Sequence, residues 1–541
     1  MMKSRNGIGR RQFLKAVCAG AAVTSLPIMS VASAAKKSSS SKRPNIVFLY
    51  TDDQRYDTLG CMGNKHIKTP NLDKLGNDGV IFDNHYNNTA ICMASRAIVM
   101  SGMHEYKNGC NFMHGPLDRK YFDTSYPVLL REAGYYTGFA GKFGFGVADA
   151  DNPDRSWKKD ENMPIADFDY WAGWPDQGTY KTEDNGYIAK FKDKYPHTTR
   201  ALGAAGQEFI GKAKESGKPF CLSVSFKAPH GPASPDKEYD DLYDGVVFPK
   251  PENYGLKGAE HLCDQARSGR QAAKFSAWEG DKYQEHLSKY YRQIYGIDVA
   301  VGMIRDELET QGVADNTVVI FMTDNGYSCG SHAFGGKVLP YEEASKSPLL
   351  IFDPRKPASK RGKRSRALTG SIDMSATMLD LGGVAVPDHT DGESIVPLLD
   401  NPNRKIRKHM LFTQVWGPLS NHALTVLTGD FKYTYWMYGD DGMTPCEELY
   451  DINADPIEME NLVGEKKFKG TLKKMRRLYD GYVEQWKKDC YKDYGYPEHG
   501  ILADRHLSWD EKKKLVPLTK SKNGDPAIDK RKVNANKIKQ K

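Results

Sequence analysis

No two cysteines in the 541 residues stand in a C-x-x-C arrangement, and no zinc-finger spacing of cysteine and histidine occurs, which argues against a structural zinc site. Beyond the first 35 residues no run is long and apolar enough to cross a bilayer, so no stable membrane span is expected. Internal repeats are missing, so the chain does not read as a repeat array. Motifs that read a nucleic-acid groove are missing too. The net charge of +8 does not replace them: residues 1–35 carry +5, residues 36–511 carry −6, and Lys512–Lys541 carry +9. A mildly acidic body is not a nucleic-acid footprint, and the basic end reads as a solvated, partly disordered tail rather than a polyanion-binding element.

What is present begins with length, enough for two to four compact units. The first 35 residues combine a basic start, "GRRQFLK", an Ala-rich apolar run broken by Pro27, and the small-residue site Ala32-Ser33-Ala34. Arg10 and Arg11, followed by Gln12, Phe13, Leu14 and Lys15, resemble a twin-arginine signal, so a periplasmic or secreted bacterial protein is expected. There are nine cysteines, and Cys18 leaves with the signal. Export permits disulfides. If Cys92 has another task, seven cysteines remain and at least one stays unpaired within the monomer.

After a Lys/Ser linker (36–43), "PNIVFLYTDDQ" supplies a continuous β-branched run, Asn45 to Tyr50, of the kind buried on both faces of a parallel sheet. It stops at Asp52 and Asp53. The same pattern recurs where Thr317 to Met322 run into Asp324 and Asn325, where "PFCLSVSFKAPH" ends near His230, and more weakly where "GYYTGFAGK" brings Lys142. Helical periodicities such as "YYRQIYGIDVAVGMIRDELETQG" alternate with these runs, which predicts an α/β fold with a large, mainly parallel central sheet at residues 44–400. Ligands in such sheets sit beyond the carboxyl ends of the strands. Residues 401–500 read as a smaller C-terminal α+β domain. It holds the strand-like "KYTYWMY" and "EELYDI" and an amphipathic helix with Leu472, Met475, Tyr479, Tyr482, Val483 and Trp486 on one face. The basic tail occupies 501–541.

Asp52, Asp53, Asp324 and Asn325 offer three carboxylates and one amide oxygen, a hard donor set suited to Ca²⁺ or Mg²⁺ and poor for zinc. Arg96, Lys142 and Lys337 add cations able to hold a tetrahedral oxyanion. In "TAICMASRAIVMSG" Cys92 stands where a polar loop turns into a helix, so the positive helix end faces its side chain, a setting that favours reactivity over ordinary packing.

The segments "PNIVFLYTDDQRYDTLGCMGN", "TPNLDKLGNDGVIFDNHY", "CMASRAIVMSG", "AGYYTGFAGK", "FKAPHGP", "TDNGYSCGSHAFGGK", "YEEASKSPLL", "DMSATMLDLGG" and "ELYDINADPIEMENL" together resemble the formylglycine-dependent sulfatases. The resemblance implies an alkaline-phosphatase-like three-layer sandwich. It also implies oxidation of Cys92 to formylglycine, whose hydrate attacks the sulfur of a sulfate ester with one hydroxyl and expels sulfate with the other. It assigns Asp52, Asp53, Asp324 and Asn325 to the metal, with Ca²⁺ rather than Mg²⁺ the implied ion, Arg96 to orienting the formylglycine, Lys142 and Lys337 to the sulfate, and His230 to protonating the leaving oxygen. Two positions depart from the family pattern. The histidine expected two residues after Lys142 is Gly144, for which His104, His114 or His332 are candidate substitutes. Ala94 replaces a common proline, which resembles the substrates of radical-type maturases. The implied substrate is a sulfate ester, with a sulfated carbohydrate suggested by export. A phosphonate or phosphate monoester hydrolase of the same fold and a non-catalytic binder of sulfated glycans are the alternatives. Substrate choice is expected to lie in the loops at 149–180 and 232–285.

Overall fold

The computed structural model describes residues 43–149 and 160–533. The expected export signal, the linker up to residue 42, residues 150–159 of the 149–180 loop and the last eight residues of the basic tail lie outside the described residues.

Eight strands form the main sheet: β1 Asn45–Thr51, β2 Val80–Phe82, β3 Tyr136–Lys142, β4 Tyr170–Trp174, β5 Phe220–Ser225, β6 Thr317–Thr323, β7 Leu349–Phe352 and β8 Lys363–Ser365. Their spatial order is β8-β2-β7-β6-β1-β5-β3-β4, and only β7 runs against its neighbours. Strand β1 lies at the centre with every residue buried. Its alternation decides both layers: Ile46, Phe48 and Tyr50 enter the core on one face, Val47 and Leu49 the core on the other. Helices Cys92–Ser101 (α1) and Met374–Leu381 belong to the first layer. Helices Thr198–Ser216 and Lys282–Thr310 pack together in the second. This is the alkaline-phosphatase-like α/β architecture expected from the sequence.

The parallel register sets up the site. Thr51 pairs with Thr323 at the ends of β1 and β6, Tyr50 pairs with Ser225 of β5, and Ser225 pairs with Gly141 of β3. The residues that follow each of these ends, Asp52–Asp53, Asp324–Asn325 and Lys142, therefore emerge side by side.

A second, antiparallel sheet of four strands follows: His409–Gln414, Ala423–Thr428, Phe431–Trp436 and Cys446–Asp451. Helix Lys469–Asp489 covers it with Leu472, Met475, Tyr479, Val483 and Trp486 buried, while Tyr482 is only half-buried. The basic end corrects the sequence reading. Helix Tyr496–Leu502 crosses the boundary set at residue 500, and the chain continues through helix Trp509–Leu515 and the hairpin Leu518–Lys520/Pro526–Ile528. Trp509, Val516, Ile528 and Val533 are buried in the C-terminal core, and the buried Lys512 Nζ donates to Tyr435 Oη at 2.9 Å. A charge count hides these widely spaced apolar anchors. The one disulfide among the described residues, Cys263–Cys446, ties the 232–285 region to the small sheet, while Cys61, Cys92, Cys221 and Cys329 are free thiols.

The helical layer that holds α1 is joined to the C-terminal domain through Glu105, whose carboxyl accepts from Asn111 Nδ2 at 2.7 Å and Tyr496 Oη at 2.8 Å. Burial pushes this carboxyl up to about 7. The folded state then binds a proton that the unfolded chain, near 4.5, releases earlier, so stability falls as pH rises from about 4.5 through about 7. Glu105→Gln removes that loss. The variant is expected to gain up to about 3 kcal/mol over wild type at pH 8 and little at pH 4.5, as read by chemical denaturation at both pH values. An equal difference at both would contradict this.

Candidate active site

Helix α1 begins at Cys92 itself, after Ile91 in extended conformation, and all ten of its residues are buried. It ends at Gly102, whose φ of 68° lets its N–H close on Ile98 O. A helix buried on every side is held rigidly, so its first residue has a fixed position against the strand ends. Cys92 Sγ lies 3.3 Å from Asp52 Oδ1 and 2.6 Å from Lys337 Nζ. Burial, with Asp52 adding to it and Lys142 and Lys337 opposing, pushes the thiol up to about 12. The helix end does not make Cys92 a reactive thiolate, which corrects that part of the sequence reading: loss of water outweighs the favourable dipole.

One turn along, Arg96 is locked by four neighbours. Its Nε donates to Asp324 Oδ2 at 2.8 Å, Nη1 donates to Lys142 O at 2.7 Å and to Ser225 Oγ, and the guanidinium lies over the Tyr50 ring at 5.0 Å. Asp52 is the hub of the cluster. Lys142 Nζ donates to Oδ2, Arg96 Nη2 is 3.6 Å from the same oxygen, and Lys337 Nζ is 3.5 Å from Oδ1. Burial alone would raise this carboxyl, but Lys142, His230, Lys337 and Arg96 hold it well below the usual range. Asp53 takes a left-handed φ of 65°, which turns its side chain towards Lys337 and Asn325, the latter donating through Nδ2 at 2.5 Å. Asp324 reaches the same point, its Oδ1 accepting from Asp53 N at 3.3 Å.

The nine residues singled out in the sequence, Asp52, Asp53, Cys92, Arg96, Lys142, His230, Asp324, Asn325 and Lys337, are thus gathered at one sheet edge. Asn325 Oδ1 is buried with no hydrogen-bond partner among the described residues, beside the three carboxylates. An orphaned amide oxygen facing a carboxylate cluster fits a hard divalent cation.

His230 approaches Asp53 Oδ2 through Nε2 at 3.8 Å, and its Nδ1–H donates to Gly231 O at 2.6 Å. Burial lowers the ring to about 4, against the pull of Asp53 and Asp52. The ring is neutral at pH 7, with the Nε2 lone pair turned to the site.

Gly144 has φ 85°, and a Cβ there would stand 2.7 Å from Arg96 Cδ. The missing histidine is a consequence of where Arg96 lies. His104 stacks on Tyr106, His114 Nδ1 donates to Tyr494 O at 2.9 Å and His332 Nδ1 donates to Gly258 O at 2.6 Å, so none of the three substitutes is placed at Cys92. Instead Gln177 Oε1 accepts from Lys142 Nζ at 2.7 Å. Sequence reasoning missed Gln177, as it missed Lys227, a buried ammonium over the Tyr180 ring at 5.1 Å. Loop residues carry no periodic signal; only the segment "FKAPH" hinted at Lys227. Gly144→Ala is expected to destabilise the fold by about 1–3 kcal/mol and to lower turnover by displacing Arg96. Gly144→His, which installs the residue the family pattern contains, is expected to lower activity too; a gain in a turnover assay would contradict this reading.

A cavity of about 580 Å³ opens over Cys92, lined by Asp53, Gln177, His230, Lys337 and Trp416 among others. Carboxylates and cations at the carboxyl edge of a large mainly parallel sheet, over a buried helix start, define a hydrolase of anionic esters with the alkaline-phosphatase-like fold. The chain belongs to the sulfatase family, whose model, "Sulfatase", matches residues 44–384, and it is a sulfuric ester hydrolase. A second model, "N-sulphoglucosamine sulphohydrolase, C-terminal", matches 330–485. The chain is 26% identical to an N-acetylglucosamine-6-O-sulfatase of Bacteroides thetaiotaomicron over 85% of its own length and 90% of the relative's. It is 26% identical to an arylsulfatase of Clostridium perfringens over 84% and 98%. A solved structure described as a complex with its substrate D-glucosamine-2-N,6-O-disulfate superposes with a TM-score of 0.67 at 24% identity, covering 83% of this chain and 99% of the other. The phosphonate monoester hydrolase of Agrobacterium radiobacter shares the fold, with a TM-score of 0.66 at 20% identity, covering 90% and 99%.

Proposed function

We propose that this sulfatase acts on sulfated carbohydrate outside the cytoplasm, through a formylglycine made from Cys92. The observation that carries the reading is the position of Cys92, the first residue of a buried helix, beneath an open cavity and between Asp52 and Lys337. A thiol pushed up to about 12 is a poor nucleophile, and oxidation to an aldehyde removes that obstacle, because the hydrate needs no thiolate. When bound, Ca²⁺ held by Asp52, Asp53, Asp324 and Asn325 supplies positive charge to the sulfate oxygens and to the nucleophile.

The chain's own residues do the rest. Arg96, fixed by Asp324 and Tyr50, holds the edge against which the nucleophile is oriented. Lys142 and Lys337 lie on either side of Asp52 and neutralise charge that grows on the sulfate oxygens in the transition state. His230 is neutral at rest; the negative charge of the ester beside Nε2 raises its proton affinity, it takes a proton from solvent water, and it delivers that proton to the leaving alcohol oxygen.

Ala94 within C-M-A-S-R favours a radical-type maturase as partner. The twin-arginine-like segment favours export after maturation, and the Cys263–Cys446 disulfide is consistent with an oxidising compartment. No helix among the described residues is long and apolar enough to cross a membrane. The carbohydrate reading is supported by the names of relatives, including ulvan-active sulfatases of Formosa agariphila. The test is sulfate release from glucosamine 6-O-sulfate and from an aryl sulfate, set against a phosphonate monoester. Faster turnover of sulfate esters is expected; faster turnover of the phosphonate would favour the phosphonate hydrolase, and no turnover would favour the non-catalytic binder.

A further inference from the structure

Beside the catalytic cavity lies another of about 690 Å³, and Arg270, Lys274 and Tyr327 line both. The segment carrying these cations is seated directly on the loop that carries Lys337. Gly335 N donates to Gln271 O at 2.9 Å, a Cβ on Gly335 would stand 2.2 Å from Lys274 O, and one on Gly336 would stand 1.9 Å from Gln271 Oε1. Only two consecutive glycines permit that approach. Arg270 and Lys274 are one helical spacing apart, and neither makes an ion pair or side-chain hydrogen bond among the described residues. The Arg270 guanidinium lies over the Trp416 ring at 5.2 Å, which holds it at the cavity wall. Between them Gln271 lines the catalytic cavity yet is 95% buried, its Oε1 packed against Gly336 without a hydrogen-bond partner among the described residues. Asp53 is the one acid lining either cavity among the described residues.

We propose that Arg270, Lys274 and Gln271 form a second anion subsite at the mouth of the catalytic cavity. It selects a sulfate ester that carries a further negative substituent, a sulfate or carboxylate, on the same or the adjacent sugar. The two cations meet the anion by charge-assisted hydrogen bonds, and the buried Gln271 between them fixes the segment that carries both. The inference rests on the carbohydrate reading above and adds the charge of the substrate.

The test uses the full-length protein with Cys92→Ala, which binds without turnover, and calorimetric titration of D-glucosamine-2-N,6-O-disulfate against D-glucosamine-6-O-sulfate. The disulfate is expected to bind about tenfold tighter or more, and the gap is expected to narrow at high salt. Adding Arg270→Ala and Lys274→Ala is expected to bring the two sugars within about twofold of each other. Both positions are exposed, and circular dichroism checks that the variant folds. Equal binding of the two sugars, binding of neither, or a gap that survives both substitutions would overturn the subsite. Sulfate release from an aryl sulfate by the unsubstituted protein is read separately, so loss of the subsite and loss of the hydrolase reading are distinguishable.

Discussion

Replacing Cys92 by alanine is expected to lower sulfate release by about 10⁴-fold or more while leaving the protein folded. Alanine keeps the helix start: the thiol's polar neighbours are the Asp52 and Lys337 side chains, and the helix behind it is held by Met93, Ala97, Val99 and Met100 in the core. In the proposed mechanism the substitution removes the thiol whose oxidation turns Cβ into the aldehyde carbon that bears the attacking hydroxyl, and no second group replaces it. His230 is neutral and turned to Asp53, Gln177 is engaged with Lys142, and the other free thiols lie elsewhere. The measurement is turnover of an aryl sulfate together with a thermal melt. Activity within tenfold of wild type would show that some other group attacks sulfur. A collapsed melt would show that Cys92 is structural.

The second large effect falls on stability as well as on activity. Asp52→Ala leaves Lys142, Arg96 and Lys337 facing one another without the carboxylate they share, and the first two are 0% and 2% exposed. Breaking a buried ion cluster by removing one partner costs about 3–5 kcal/mol, here because Lys142 is left desolvated without a carboxylate while Arg96 and Lys337 keep only Asp324 and Asp53. Asp52→Asn keeps the shape and loses the charge, so it is expected to show most of the same loss. Both variants also take one carboxylate from the cation site, so turnover is expected to stay low even with excess Ca²⁺. Denaturant unfolding of the two variants checks the account, and stability within about 1 kcal/mol of wild type would mean that Asp52 does not balance these cations.

Much of this architecture was legible because a parallel sheet writes itself plainly. Strands buried on both faces require continuous apolar runs, so the break from Thr51 to Asp52 and from Thr323 to Asp324 marks both a strand end and a polar edge. Strand Leu349–Phe352 has the same composition, yet it runs antiparallel, and only its pairing with β2 and β6 shows that. The tail failed for a different reason: twelve Lys and Arg residues dominate the composition of 501–541, while Trp509, Val516, Ile528 and Val533 lie too far apart to form a periodic pattern. Within the site, Gly144 read as a loss until the position of Arg96 showed that a side chain has no room there. Gln177, Arg270, Gln271, Lys274 and Trp416 come from loops and short helices separated by up to 239 positions in sequence, and no local pattern announces that they converge.

The measurement that bears most directly on the account is peptide mass spectrometry of the segment containing Cys92, in protein purified from its own host. The account predicts the aldehyde or its hydrate in place of the thiol in the active fraction. An intact thiol at Cys92 in protein that hydrolyses sulfate esters would contradict the formylglycine mechanism.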